Sequence, residues 1–351
     1  MKASNSAHES VSTPNSDASP LPAPRVAVIV PAYGVAHLLA EALHSLQAQQ
    51  FTDWECVVID DGAPDDVAGA VAPFLSDPRI RFLATDNRGV SCARNRAIRA
   101  TRAPLITLLD GDDLLRPHYL ATMVPLLDGD PTVRLATCNA RIFGAVPVER
   151  LSFTGKQGRG DGLHGSLADV LDRSFGVYIG TTFRRADFEA VAGFDETMTH
   201  SEDFDFWVRL MMQGGRARFV DDVMGDYRVR GESASAQGQR MLMGNLKVYQ
   251  KARAALPADH PEQPLIAQLI AQQEGAIAFE RSIDRVIGGD IKAIAGLRAR
   301  PDLQGPLLRI ALRLWWLFPS LAGPMLRWRR RAHTRGASSR RLIRRLSSAE
   351  G

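Results

Sequence analysis

The sequence predicts an α/β protein with a Rossmann-like, mostly parallel sheet, helices on both faces and a C-terminal helical extension. Three observations lead there. Short unbroken runs of β-branched residues recur, helical-period segments separate them, and acidic clusters sit where the runs end. Runs that are apolar at every position suit strands buried on both faces, and their alternation with helices calls for right-handed βαβ units.

The first such run is 25–30 (RVAVIV), ended by Pro31, Tyr33 and Gly34. Ala36–Gln50 carries Leu38, Leu39, Leu43 and Leu46 at helical spacing. Cys56–Ile59 reads as a second buried strand, Asp60–Asp66 as a polar turn and Ile80–Leu83 as a weaker third strand. Ser91–Thr101 reads as a helix with Ser91 as N-cap, and Leu105–Leu109 as a fourth strand that stops at Asp110. Gly176–Phe183 predicts a strand, Glu202–Gln213 a helix, and Ala217–Phe219 and Met224–Val229 short strands. From about Ser233 to Leu297 the pattern is helical, which puts a boundary near Gly231. Four segments follow: a disordered lead-in (1–24), an α/β domain (25–230), a helical extension (231–304) and a tail (305–351).

The net charge of +4 is unevenly spread. Residues 327–351 hold nine Arg and one Glu, a net +8, so the rest of the chain carries −4. The body is therefore not expected to bind nucleic acid. Cys56, Cys92 and Cys138 are odd in number, widely spaced and form no CxxC pair, which indicates neither a disulfide framework nor a zinc knuckle and suits reduced thiols in a cytosolic compartment. The first twenty residues lack the basic and apolar regions of a secretory signal.

Three constellations carry candidate chemistry. Val58-Ile59-Asp60-Asp61-Gly62, with Asp65 and Asp66 beyond, places carboxylates at a strand end, where they could accept hydrogen bonds from a base or ribose; Asp and Gly are equally ordinary turn residues. Leu108-Leu109-Asp110-Gly111-Asp112-Asp113 crowds three carboxylates into four positions, which repel unless a cation sits among them. Oxygen-rich sites of that kind favour Mg²⁺ or Mn²⁺, ions that also hold substrate phosphates, and ligands in open α/β sheets sit beyond the carboxyl ends of the strands. Glu202-Asp203, after Gly193-Phe194-Asp195-Glu196, falls where a helix begins; acids there also complement the helix dipole, with Phe206, Trp207 and Leu210 as the buried face.

In order and spacing these stretches resemble family 2 glycosyltransferases. The resemblance rests on VAVIVPAYG and VVIDDGAPDD within Val26–Asp66, on Asn87-Arg88-Gly89-Val90-Ser91-Cys92-Ala93-Arg94-Asn95, on LLDGDDLLRP, and on AGFDE followed by SEDFDFWVRL, and covers about residues 25–230. It implies a GT-A fold in which a nucleotide-binding α/β unit merges with an acceptor-binding half. Asp61 would read the nucleotide base with Asp60 in support, and Pro31, Ala32 and Tyr33 would line the base and ribose pocket. Asp110 and Asp112 match the DxD pair that meets ribose and metal, Asp203 the catalytic base, with Glu202 beside it. Arg94 joins the donor site, and Asn87 and Asn95 match a family motif. Relatives often carry His after the Tyr-Arg of the late strand; here Tyr227-Arg228-Val229-Arg230 offers Arg230 as a fixed charge for phosphate. No QxxRW motif follows the Glu202–Gln213 helix, so transfer of a single sugar is expected rather than polymer extrusion.

The implied reaction is inverting, metal-dependent transfer from a nucleotide-sugar donor to a glycan or lipid-linked glycan acceptor, in cell-envelope or extracellular glycan synthesis. Gly-rich 145–175 is expected to shape the acceptor side as a mobile loop. Two other classes fit parts of this pattern. Asp110-Gly111-Asp112 also suits a phosphohydrolase with Asp110 as nucleophile, but that chemistry wants Thr or Val two residues after the second Asp, and Asp113 and Leu114 follow instead. A catalytically silent nucleotide-sugar scaffold would not need the full set of carboxylates. In the tail, Leu307–Phe318 is nearly all apolar apart from Arg309 and Arg313, and the uncharged run Leu314–Leu326 is too short to span a bilayer. With the Arg-rich run beside it, the tail reads as an interfacial helix on an anionic membrane surface, placing the protein at the inner face of the membrane.

Overall fold

The opening β-branched run forms β1 (Val26–Ala32), interior to a ten-stranded sheet in the computed structural model, which describes residues 23–178, 180–230 and 238–328. The chain continues through α1 (Ala36–Gln47), β2 (Trp54–Asp61), α2 (Val67–Val71), β3 (Ile80–Thr85), α3 (Val90–Arg99), β4 (Leu105–Leu108), β5 (Leu114–Leu115) and α4 (Tyr119–Gly129). There follow β6 (Val133–Gly144), β7 (Arg150–Leu151), β8 (His164–Gly165), α5 (Leu167–Leu171), β9 (Thr182–Arg184), α6 (Arg185–Ala190), α7 (Glu202–Met211) and β10 (Arg216–Val229). The helices α8 (Gly238–Ala255), α9 (Gln263–Ile287), α10 (Ile294–Arg298) and α11 (Pro306–Leu317) complete the described fold, with a further short helix over 322–328.

The strand order is β3-β2-β1-β4-β9-β6-β10-β5, with β7 beside β6 and β8 beside β10. β3, β2, β1 and β4 are mutually parallel; β9 runs antiparallel between β4 and β6, and β6 and β10 are parallel again. Alternate residues of β1 serve two cores. Val26, Val28 and Val30 meet α1 and α4, whereas Ala27 and Ile29 meet α3 and α7. Each fully buried Val or Ile contributes roughly 1.5–3 kcal/mol over an exposed one, so a strand apolar at every position gains on both faces. The parallel register sets Ala32 beside Asp60, and the amide of Leu109 donates to the carbonyl of Ile29. Three strands thus release their chains side by side at one sheet edge.

Several expectations are corrected. Ser91 is not the N-cap of α3: Gly89 holds that position at φ +89°, a region open to glycine, and the Ser91 hydroxyl is buried inside the first turn without a hydrogen-bond partner among the described residues. The strand expected over Gly176–Phe183 is confined to Thr182–Arg184, because 176–178 packs by side chains, with Gly176 close against Phe153, instead of joining the ladder. The two short strands expected after residue 216 are one strand, β10, whose register shifts near Val220–Val223 and Val223–Gly225 absorb the polar Asp221-Asp222 step. Within 145–175, residues 150–151, 164–165 and 167–171 take regular structure as β7, β8 and α5.

The helices after residue 238 do not stand apart from the α/β body. Val248, Tyr249 and Ala252 of α8 and Ile266, Leu269 and Ile270 of α9 share the core of α3 and α7. The far end of α9 builds a separate core with α10 and α11. The expected boundary near Gly231 and the ends 1–22 and 329–351 lie outside the described residues.

Candidate active site

Four loops leave the sheet edge together. The loop after β1 is tied by Asp65, whose carboxylate accepts from the amides of Gly34 (3.0 Å) and Ala36 (2.7 Å). Gly111 lies against the same loop: a Cβ there would stand 3.0 Å from Val35 Cγ2 and 3.1 Å from the Pro31 carbonyl. With glycine there the Asp110–Asp112 turn approaches this closely without making Val35 or the Pro31 backbone give by a few tenths of an ångström. The end of β10 closes the ring, with Arg230 Nε 2.7 Å from Asp112 Oδ2 and its Nη1 donating to the Gly34 carbonyl at 3.1 Å.

The three carboxylates of the Asp110–Asp113 turn take separate cationic or dipolar partners within the chain. Asp113 is buried and turned inward, accepting from the amide of Arg228 at 2.8 Å and the Tyr178 hydroxyl at 3.4 Å. Burial, then the charges of Asp110 and Asp112, push its pKa well up. Asp110 binds Arg94 Nη2 at 2.8 Å. Asp112 pairs with Arg230; burial first and Asp110 second raise its pKa, against the pull of Arg230 and Arg228.

Arg94, on α3, is the hub. Its side chain is only 3% exposed, yet it carries a charge, because Nη2 reaches Asp110 and Nη1 reaches Glu202 Oε1 at 3.2 Å. Burial works against that charge, and the carboxylates of Asp110 and Glu202 override it and raise the pKa above the ordinary guanidinium value. The Glu202 carboxyl moves up as well: burial and neighbouring Asp203 outweigh the attraction of Arg94. Glu202 and Asp203 occupy the first turn of α7, partly exposed, as the acidic pattern predicts. Ser201, just before them, sits in the left-handed region at φ +59° and donates its hydroxyl to Asn245 of α8 at 2.8 Å. A non-glycine residue held there stores backbone strain. The Phe206 ring stacks on Phe194 at 4.1 Å and anchors the helix behind the acids.

The remaining expected residues fall as follows. Asp61 is buried, and its two oxygens accept from the amides of Arg88 (3.0 Å) and Gly89 (2.9 Å), so it holds the start of α3; a carboxylate has lone pairs left for a further donor. Asp60 accepts from the Ala63 amide at 2.7 Å. Ala32 faces the core, leaving only its backbone for a ligand, whereas Tyr33 is half-exposed at the rim and Pro31 partly exposed. Asn95 is fully used between α3 and the 194–196 turn, bonding the amide and carbonyl of Phe194 and Glu196 Oε1. Sequence reasoning gave no role to Arg228, whose Nε donates to the Asp112 carbonyl at 2.9 Å, and grouped Asp65 with the carboxylates open to a base or ribose, whereas it ties the loop after β1; an Arg two residues before Arg230 was the available signal for the first.

Among the described residues no three His, Cys, Asp or Glu side chains converge on one point that could hold an ion. Asp110 and Asp112 are nonetheless partly open, at 27% and 15% side-chain exposure, and close enough to disturb each other. Mg²⁺ is commonly bound by one or two carboxylates together with substrate phosphates, and this pair fits that pattern.

Comparison with known proteins agrees with this architecture. Residues 27–190 match the family described as Glycosyl transferase family 2. The succinoglycan biosynthesis protein ExoO of Rhizobium meliloti is 30% identical over 223 residues, a match covering 60% of this chain and 63% of that protein. ExoU of the same organism, also a succinoglycan biosynthesis protein, is 28% identical over 66% of this chain and 69% of its own length. The chain therefore spans under two thirds of ExoO. In fold it resembles S. aureus TarS 1–349 (TM-score 0.58, 15% identity, 88% of this chain and 91% of that one). It also resembles a Pyrobaculum calidifontis mannosyltransferase in complex with GDP-Man and Mn²⁺ (TM-score 0.57, 22% identity, 94% and 89%). The fold is of GT-A type, and the match to glycosyl transferase family 2 runs from β1 to the end of α6, through the strand ends just described, so it is residues 27–190 that carry the family assignment.

Proposed function

We propose that the protein moves a single sugar from a nucleotide-sugar donor to an acceptor hydroxyl with inversion, in cell-envelope or extracellular glycan synthesis at the inner face of a membrane. One observation carries this reading: Arg94 joins Asp110 of the strand-end pair directly to Glu202, beside Asp203, so the expected donor and acceptor sides share one buried ion network. The relatives' role in succinoglycan biosynthesis supports the glycan class.

In this reading Asp61 and Asp60 meet the nucleoside, with Pro31, the Ala32 backbone and Tyr33 around it. Asp112 and Asp110 would hold Mg²⁺ or Mn²⁺, which screens the charge growing on the leaving diphosphate. Arg230 lies at the same place as a fixed charge for phosphate oxygens. Asp203 accepts the proton of the acceptor hydroxyl as that oxygen attacks the anomeric carbon from the face opposite the diphosphate; the bond to the diphosphate breaks and the anomeric centre inverts. A positioned base of this kind contributes roughly 10²–10⁴-fold in rate. Arg94 holds Asp110 and Glu202 in register, and with them the first turn of α7. The phosphohydrolase reading would leave the family match over 27–190 unexplained and Asp110 bound to Arg94.

A panel of UDP-, GDP- and dTDP-sugars with Mn²⁺, read by thermal shift and by release of nucleoside diphosphate, tests the reading. At least one donor should stabilise the protein and be turned over. A panel with neither effect would contradict it.

A further inference from the structure

The outer side of the C-terminal helices is an exposed apolar surface that also carries two arginines. Leu308, Ala311, Leu312 and Trp315 of α11 are buried against Phe279, Ile283 and Val286 of α9. On the opposite side Leu307, Ile310, Leu314 and Leu317 are all exposed, Leu307 at 83%, and Trp316 stands out at 74%. Leu321, Met325 and Trp328, the last also at 74%, continue the surface through the 322–328 helix, whose Ala322 and Leu326 face inward. Of the sixteen large apolar side chains exposed among the described residues, nine lie in 307–328, so they form a patch rather than the usual scatter.

Arg309 and Arg313 lie exposed on α11 within this patch, and no acidic residue occurs between Asp302 and Glu350. No described helix is long and apolar enough to cross a membrane; α11 has 12 residues, about 18 Å of helix against a hydrocarbon core of about 30 Å. A second copy is poorly suited as the covering partner, because two-fold pairing of this face would set its arginines against each other. Anionic headgroups above acyl chains match both features, and indole rings favour that boundary.

We propose that the outer face of α11 and of 322–328 seats this protein on an anionic lipid surface, with α11 lying in the plane of the interface and Ile310, Leu314, Leu317 and Trp316 inserted. This assigns the surface for the membrane location stated above. It does not depend on the sugar-transfer chemistry, because donor binding is measured separately below.

The test uses the full chain in flotation with phosphatidylcholine vesicles, with and without phosphatidylglycerol. The wild type should float with the anionic vesicles. The triple variant I310S/L314S/L317S should lose at least about tenfold in partitioning, and R309Q/R313Q about fivefold for each arginine. Both should keep the thermal shift given by nucleotide. A wild type that stays unbound would overturn the proposal. So would a serine variant that floats as well as the wild type, which would hand all binding to the Arg-rich 329–351. A wild-type dimer that the serine variant converts to monomer would assign the face to a second copy instead. Should the triple variant fail to fold, tryptophan emission serves: anionic vesicles should shift the wild type to the blue and Trp316→Phe clearly less, and an equal shift would contradict insertion.

Discussion

Arg94 and Glu202 lie 108 residues apart in the chain and meet at 3.2 Å, with the same guanidinium bonded to Asp110 at 2.8 Å. Removing one partner of a buried ion pair leaves uncompensated charge, at a cost of about 3–5 kcal/mol. Arg94→Gln should therefore lower the melting temperature and abolish turnover. Arg94→Lys should keep more stability than Arg94→Gln but turn over slowly, because an ammonium cannot fork between two carboxylates. Melting curves and donor turnover for Arg94→Met, Asp110→Asn and the double variant check the coupling. The double should lose clearly less than the two singles added together; strict additivity would mean the contact carries no shared energy.

Arg230 stands against Asp112, where the proposed cation would bind. Arg230→Gln should weaken nucleoside diphosphate binding by about tenfold, the scale of one charge-assisted hydrogen bond, while tightening Mn²⁺ binding without nucleotide, since Asp112 then lacks its competing charge. Titration calorimetry with Mn²⁺ alone and with diphosphate reads both effects.

Gly111→Ala tests how closely the Asp110–Asp112 turn must approach the loop after β1. The added Cβ would press on the Pro31 carbonyl and Val35, where backbone has to yield. A destabilisation of about 1–3 kcal/mol is expected, with a raised KM for donor measured alongside the melting temperature.

Lys251 of α8 donates to Asp195 at 2.6 Å and also pairs with the buried Asp205, which docks α8 beside α7. Burial would raise the Asp195 pKa, but Lys251 and then Thr197 hold its carboxyl below the usual range. A depressed folded-state pKa gives stability that is present above the unfolded value and is lost as pH falls from about 4. Lys251→Met should therefore be less stable at neutral pH and show a shallower loss of stability on acidification. Melting temperature against pH gives both slopes.

Much of this architecture was legible because buried parallel strands announce themselves as unbroken apolar runs: Val26–Val30, Cys56–Ile59 and Leu105–Leu109 lie in or overlap β1, β2 and β4. β6 was missed because it carries Thr137 and Asn139 inside, polar residues satisfied by contacts that local pattern does not reveal. β10 was split in two because Asp221-Asp222 resembles a turn, whereas here it sits at a bulge. At the site, the acids at strand and helix ends could be read from the chain. Their pairing could not: that Asp110 goes to Arg94, Asp112 to Arg230 and Asp113 inward follows from the crossing of α3, α7 and β10, which only the assembled sheet fixes.

The proposed transfer needs Asp203 to take the acceptor proton beside a bound donor. The most direct measurement is turnover by Asp203→Asn at saturating donor, with the donor dissociation constant measured on the same preparation. Turnover should fall roughly 10²–10⁴-fold while the dissociation constant stays near that of the wild type. Turnover close to wild type would contradict the account.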